Sequence, residues 1–402
     1  MGPTSVPLYY VLKLRFRHLA LLSCSLMSCS FEASPGSTTS DALDRSDAPS
    51  QDADARTIDA PNAPPAAFVV DHLGPIDPAL LQGNIVINTF TNVSSLALVP
   101  AVQTVGGGAV SVLYFDTLVV NARFNIDGNK PVLLVGNQIT VNSGGGINAG
   151  ANGILAFAGG GSFSARGAGG GGIGAVAPKS SADPGGGGGG FGTAGAAGGT
   201  ADPTAAAAGA AGIAYGTAQM TTLIGGSAGG DAACGDNPAR GGAGGGAVQL
   251  TARVRIVLNG VVTAHGGGGS AGLRCTPRDS YDAGAGGGSG GVIFLQAPVL
   301  TMNGGSGLYA NGGGGGAGAQ NTSPFFGTPG QNGLLNSTAA QGGVAANAQT
   351  DRNGGAGGVQ SSPPSRGGNG NNSGGGGGAV GRIVIHGPMP AGTFSPAPVA
   401  YN

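Results

Sequence analysis

Tryptophan is absent from this 402-residue chain, charged residues make up only 9% of it, and lysine occurs only at Lys13, Lys130 and Lys179. The formal net charge is −1, so there is no basic footprint for a nucleic acid. Outside the first thirty residues histidine is confined to His72, His265 and His386, and cysteine to Cys234 and Cys275. No paired histidine and no Cys-His spacing is present, so neither a zinc site nor a catalytic triad is legible. What is abundant is glycine, 87 residues, about three times average usage. The glycines come in runs and not at every third position, which excludes collagen. Glycine has no side chain to bury and loses the most backbone entropy on ordering. A close-packed core throughout is therefore excluded, and apolar residues must be concentrated in limited segments.

The first of these segments is an export signal. Lys13, Arg15 and Arg17 precede a short apolar core, Leu19 to Met27, too short to span a bilayer as a mature helix. It meets Leu26-Met27-Ser28-Cys29, which resembles the bacterial lipobox and marks Cys29 as the lipidated residue; Cys24 fits the pattern less well because it leaves almost no apolar core. Met27 departs from the small residue usual at that position, and Ser30 points to an outer-membrane address where the host has one. An ordinary secretory signal, with the protein secreted, is the alternative. Residues 30–66 hold seven acids against Arg45 and Arg56 among Ser, Ala and Pro, with no apolar period. Such a stretch cannot offset its ordering entropy and reads as a disordered, self-repelling tether, in preference to a calcium or partner site.

Residues 67–402 form the repeat domain. AVQLTARVRIVLNGVVTAHGGGG (from Ala247) and GVIFLQAPVLTMNGGSGLYANGGGGG (from Gly291) share one order: two β-rich runs, Asn-Gly, a short apolar segment, then glycine. Val112 to Asn129 and Val132 to Ala149 repeat it, Arg382 to Ile385 starts a last copy, and Phe68–Val70, Ile85–Ile87 and Leu96–Val99 supply earlier strands. A spacing of about twenty residues fits one solenoid coil. In Arg253-Val254-Arg255-Ile256 the apolar residues are expected to alternate inward and the arginines outward. Asn142, Asn259 and Asn303 fall at the same corner, where asparagine tolerates a left-handed conformation and can stack in a ladder. The expected fold is all-β, a parallel β-solenoid; an antiparallel β-sandwich is the alternative.

Inserts at about 159–246, 266–290 and 312–378 each follow a copy's third run, so all should leave from one edge and lie side by side. Structureless loops of this length are either disordered or functional. Extended polyglycine, which resembles polyproline II, offers a third possibility, because its N–H and C=O groups point in three directions and can bond laterally into a bundle. Cys234 and Cys275 lie in the first and second inserts. Export permits a disulfide between them, worth about 3–4 kcal/mol in loop-closure entropy. Free thiols and metal ligation are the alternatives, the latter short of further ligands.

No catalytic constellation emerges. Gly167 to Gly172 matches a dinucleotide fingerprint by chance, Pro178 spoils a phosphate loop at Lys179-Ser180, and Gly229-Gly230-Asp231 is a calcium-repeat fragment that does not recur. The enzyme case borrows from β-helical lyases and hydrolases, with Asp116, Asp127, Lys130, Arg253 and Arg255 as candidates, but nothing places Asp116 and Asp127 at a glycosidase spacing. Each reads more simply as a turn or solvated strand residue. Tyr309 and Phe325-Phe326 are scattered candidates for stacking on sugars.

From Val112 to Gly387, together with its signal, the chain resembles uncharacterised glycine-rich bacterial surface lipoproteins with solenoid domains. Glycine-rich extracellular domains of some receptor kinases share the inserts but not the coils. The resemblance implies surface display and carries no catalytic residues. The expectation is a lipid-anchored envelope protein with a structural, adhesive or coating role, no metal or cofactor, and the membrane and surface polysaccharide as partners. A carbohydrate-active protein and an ice- or hydration-layer binder are the alternatives.

Overall fold

The computed structural model describes residues 68–401 except 97–100, 106–107, 163–165, 175–181, 203–205, 233–237, 276–279 and 321–325. Cys24, Cys29, the tether, Cys234 and the side chain of Cys275 lie outside the described residues.

Apolar, β-branched segments separated by glycine and asparagine form strands that alternate between two sheets. The first pass comprises β1 (Asn84–Ile87) and β2 (Thr91–Asn92). The second comprises β3 (Gly108–Val120) and β4 (Arg123–Asn125), the third β5 (Val132–Val141) and β6 (Gly146–Asn148). The fourth is β7 (Ala247–Leu258) and β8 (Val261–Thr263). The fifth is β9 (Val292–Gln296), β10 (Leu300–Met302) and β11 (Gly307–Tyr309). A sixth, β12 (Arg382–His386) and β13 (Thr393–Ser395), is followed by β14 (Val399–Tyr401). The larger sheet runs β14-β12-β9-β7-β5-β3-β1 and the smaller β13-β11-β8-β6-β4-β2; neither closes on itself. Every pairing in these two orders is parallel, as is the extra pairing of β10 on β7. Among the described residues only Ala101–Val105 joins these sheets antiparallel, beside β3.

Parallel register stacks like on like. Leu113, Leu134, Leu250, Leu295 and Ile385 form one column of the larger sheet, and Phe124, Ile147, Val262, Leu308 and Phe394 one column of the smaller. The two columns share a single apolar core between the sheets. The other face of the larger sheet is covered too: Val112, Leu133, Phe294 and Val384 pack beneath Val70 and Ile76 of an antiparallel hairpin (Phe68–Val70 with Gly74–Ile76) and beneath Phe191 and Met220 of the first insert. Burial on both faces explains the unbroken apolar run Val132-Leu133-Leu134-Val135, as expected for parallel sheets.

Two expectations are corrected. Val254 is 47% exposed instead of inward, because the register steps from Ala252 opposite Gly136 to Arg255 opposite Gln138. Arg253 and Val254 together face Asn137, and this bulge leaves Val254 outside while Leu250, Ala252, Ile256 and Leu258 on either side stay in the core. Asn142, Asn259 and Asn303 are not left-handed; in two of those corners the positive φ belongs to Gly144 (83°) and Gly305 (86°). Leu96 follows a short 3-10 turn, Val93–Ser95, and the rest of its expected strand lies outside the described residues.

The inserts leave the smaller sheet side by side, at Ala149, Ala264 and Ala310. Each is closed at its neck by one backbone bond from its returning strand: Gly246 N–H to Ala149 (2.8 Å), Gly291 N–H to Ala264 (2.6 Å) and Gly381 N–H to Ala310 (2.6 Å). Between necks the donors follow a three-residue period. Gly312, Gly315 and Gly318 donate to Gly358, Gly355 and Arg352; Gly313, Gly316 and Ala319 to Gly288, Ala285 and Asp282; Gly314 and Ala317 to Gln331 and Thr328. The segment 284–291 donates in the same rhythm to three neighbours, around residues 373–379, 264–270 and 227–230. It accepts from three others, around residues 186–189, 242–245 and 313–316. Six neighbours thus surround one buried glycine-rich strand.

Candidate functional site

An open groove of about 1340 Å³ runs along the outer face of the smaller sheet over the first three passes. Its floor is set by parallel register. Asn92 pairs with Asn125 and Asn125 with Asn148, so three amides project from successive strands about 4.8 Å apart. Asn148 Nδ2 donates to Asn125 Oδ1 (2.9 Å) and Asn125 Nδ2 to Asn92 Oδ1 (3.2 Å). Arg123 Nε adds a bond to Asn125 Oδ1 (3.0 Å). The same column continues through Thr263, Tyr309 and Ser395, but these are buried beneath the later passes' inserts. The amide floor is open only where no insert covers it.

One wall comes from far along the chain. Asn332, in the third insert, accepts from Gly153 N–H (2.9 Å) and Gly268 N–H (3.0 Å) and donates to Asn152 Oδ1 (3.2 Å). Phe90, Leu155 and Leu335 stand exposed around the rim, at 63%, 56% and 45%. His265 lies against Gly150, with Nδ1 2.8 Å from Thr263 Oγ1. Burial, helped by the charge of Arg123, pulls its pKa down to about 4, so the ring is neutral at physiological pH. Asp127 also borders the groove, but its carboxylate accepts from the backbone N–H (2.9 Å) and the hydroxyl of Ser94.

A second polar cluster ties the N-terminal hairpin to the sheet. Asp71 Oδ2 accepts from His386 Nδ1 (2.6 Å) and from the Tyr401 hydroxyl (2.9 Å), and His386 stacks on Tyr401. Desolvation, with the carboxylate nearby, drives the Tyr401 pKa up. His72, at a φ of 68°, aims Nδ1 at Gln249 Oε1 (2.7 Å) and Nε2 at the Met220 carbonyl (2.5 Å). A carboxylate-oriented imidazole is half of an acid–base pair. The Nδ1 proton of His386 is spent on Asp71, so the cluster ties the hairpin to the last strands of the sheet.

The other sequence candidates are dispersed. Asp116 accepts from Asn137 (2.7 Å), Asp127 is engaged with Ser94, Arg255 donates to Gln138 (3.0 Å), and Tyr309 is buried, out of reach of a sugar. Phe326 is exposed, while Phe325 lies outside the described residues. The corner asparagines do bond along the stack: Asn303 to Asn259 (2.5 Å), and Asn142 to Asn121 (2.6 Å). Asn121 in turn donates to Asn88 (2.6 Å). Sequence reading missed Asn88 and Asn121, which have no glycine in the next two positions, and missed the groove column, which no local motif marks. Among the described residues no group of three or more His, Cys, Asp or Glu side chains could hold a metal, and no helix is long and apolar enough to cross a membrane. Comparison with known proteins finds no matching family model, no similar curated protein and no similar solved structure.

Proposed function

We propose that the chain is an exported, lipid-anchored envelope protein whose parallel sheets are a β-solenoid and whose inserts form a polyglycine-II-like bundle, together presenting an adhesive face at the cell surface. The observation that carries this reading is the three-residue rotation of backbone donors through the inserts, which gives one strand six bonded neighbours. Polyproline-II geometry repeats every three residues and needs an outside partner for every backbone group. Ordering a residue costs about 1–2 kcal/mol of backbone entropy, and a hydrogen bond returns about 1, so near-complete pairing is what allows such inserts to stand. A stiff projection of this kind suits display better than turnover. The lipobox-like Leu26-Met27-Ser28-Cys29 and the acidic tether supply the anchor and the spacer.

Metabolic labelling with an alkyne fatty acid tests the anchor. The wild type and Cys24→Ala should be labelled and Cys29→Ala should not. Equal labelling of wild type and Cys29→Ala, or none in either, overturns it. The carbohydrate-binding alternative is favoured by one observation, the amide-floored groove.

A further inference from the structure

We infer that the groove over the first three passes binds an extended, uncharged, β-linked glycan, one sugar to each strand of the Asn92–Asn125–Asn148 column. The inference rests on the surface-display reading and names what the displayed face would hold.

Three features single out that chemistry. The first is the inventory of free valences. Within the column Asn148 spends one N–H, Asn92 one lone pair, and Asn125 one of each. Asn125 Oδ1 accepts twice, and Asn148 Oδ1 takes the Gly150 N–H (3.1 Å). Each amide retains a second N–H, and Asn92 and Asn148 retain a lone pair. An array offering donors and acceptors in alternation matches hydroxyl groups, which are both. A carboxylate or phosphate could use only the donors and would face those lone pairs.

The second is charge. Among the described residues that line the groove, Arg123 is the only cation and Asp127 borders it too, so this lining has no net sign with which to attract a polyanion. The third is spacing and rim. A β-linked chain in extended form advances by about one parallel-strand separation per sugar, so the amides and the rings stay in phase over the three strands. Phe90 and Leu155 supply exposed apolar surface for the C–H faces of pyranose rings. Farther along the column the side chains are buried under inserts, which fixes the length of the bound segment at about three sugars.

The test uses the full-length chain purified in detergent and titrated calorimetrically with cellohexaose, chitohexaose and xylohexaose, with hexagalacturonate as the acidic comparison. The wild type should bind at least one neutral hexamer and prefer it to hexagalacturonate. Asn125→Ala should weaken that binding about tenfold or more. Phe90→Ala, at an exposed rim position where refolding is not in question, should weaken it several-fold. Asn303→Ala, which breaks a remote corner pair of the same chemistry, should leave it unchanged. Failure of the wild type to bind any neutral hexamer, preference for hexagalacturonate, or wild-type affinity in Phe90→Ala would overturn the inference. The fatty-acid experiment reads out separately. A labelled chain that binds none of the neutral glycans sinks this inference and leaves the anchor standing, whereas an unlabelled chain that binds one supports it and removes the anchor.

Discussion

At the scale of single residues, the inserts use glycine because of lateral approach. Gly286 has no positive φ, yet a Cβ there would overlap the carbonyl oxygen of Gly187 on the neighbouring strand; at Gly304, a solvent corner, a Cβ meets nothing. Gly286→Ala should lower stability by about 1–3 kcal/mol, as overpacking does, and Gly304→Ala by less than about 0.5. Denaturant midpoints compare the two. Buried ionisable groups add a pH signature. His265 titrates near 4 when folded against 6.5 ordinarily, so between those values the unfolded chain holds the extra proton and stability rises with pH. Asp282 is pushed up to about 8, mainly by burial, so from about pH 4 to 8 the folded chain holds the extra proton and stability falls. The two slopes, each at most about 1.4 kcal/mol per pH unit, oppose each other up to pH 6.5, and only the fall remains above it. Unfolding curves of His265→Gln should decline steadily across the range, and those of Asp282→Asn should rise and then level off. A wild-type midpoint that climbs between pH 6.5 and 8 would contradict this assignment. None of this was legible beforehand: a lone His265 and a lone Asp282 carry no mark of burial in the sequence.

At the scale of elements, strands and corners were legible because β-branched runs ending in Asn-Gly have a local physical meaning. Asn259-Gly260 and Asn303-Gly304 announce themselves, whereas Asn88-Thr89 and Asn121-Ala122 do the same work without the glycine. The bulge at Arg253-Val254 was hidden for the opposite reason. One extra residue leaves the alternation looking regular while pushing Val254 out of the core row that Ala252 and Ile256 keep, and only the partner strand reveals the slip. Of the N-terminal hairpin only Phe68–Val70 was legible as strand; Gly74–Ile76 and the covering role were not, since the clasp joins Asp71 to His386 and Tyr401, 315 and 330 residues away. Asp71→Ala leaves both partners without their acceptor and should destabilise the chain by about 1–3 kcal/mol. The hairpin should then become the first site of limited proteolysis, and an unchanged cleavage pattern would argue that apolar packing alone holds it.

At the scale of the whole molecule, the groove belongs to no single segment. Its floor comes from three passes between Asn92 and Asn148 and its wall from Asn332, fastened to Asn152 some 180 residues away. That the inserts leave from one edge follows from the repeat order. Which strands become neighbours does not, because identical glycines carry no addresses. Strands at the surface of the bundle do show their phase: Gly209 and Gly212 are buried while Ala207, Ala210, Ala211 and Ile213 face outward, and Gly333 is buried while Thr328, Pro329 and Gln331 face outward. The three-residue rotation of the donors has a consequence for how such a chain can vary. Adding or losing one glycine in a run such as Gly185 to Gly190 turns every later N–H toward the wrong neighbour, while a change of three restores the phase. The neck bonds confine any error to one insert. Runs of repeated codons are prone to copying slips, so glycine tracts in this bundle should tolerate length changes in triplets and lose single-codon variants, a reading frame imposed on the protein by its hydrogen bonds.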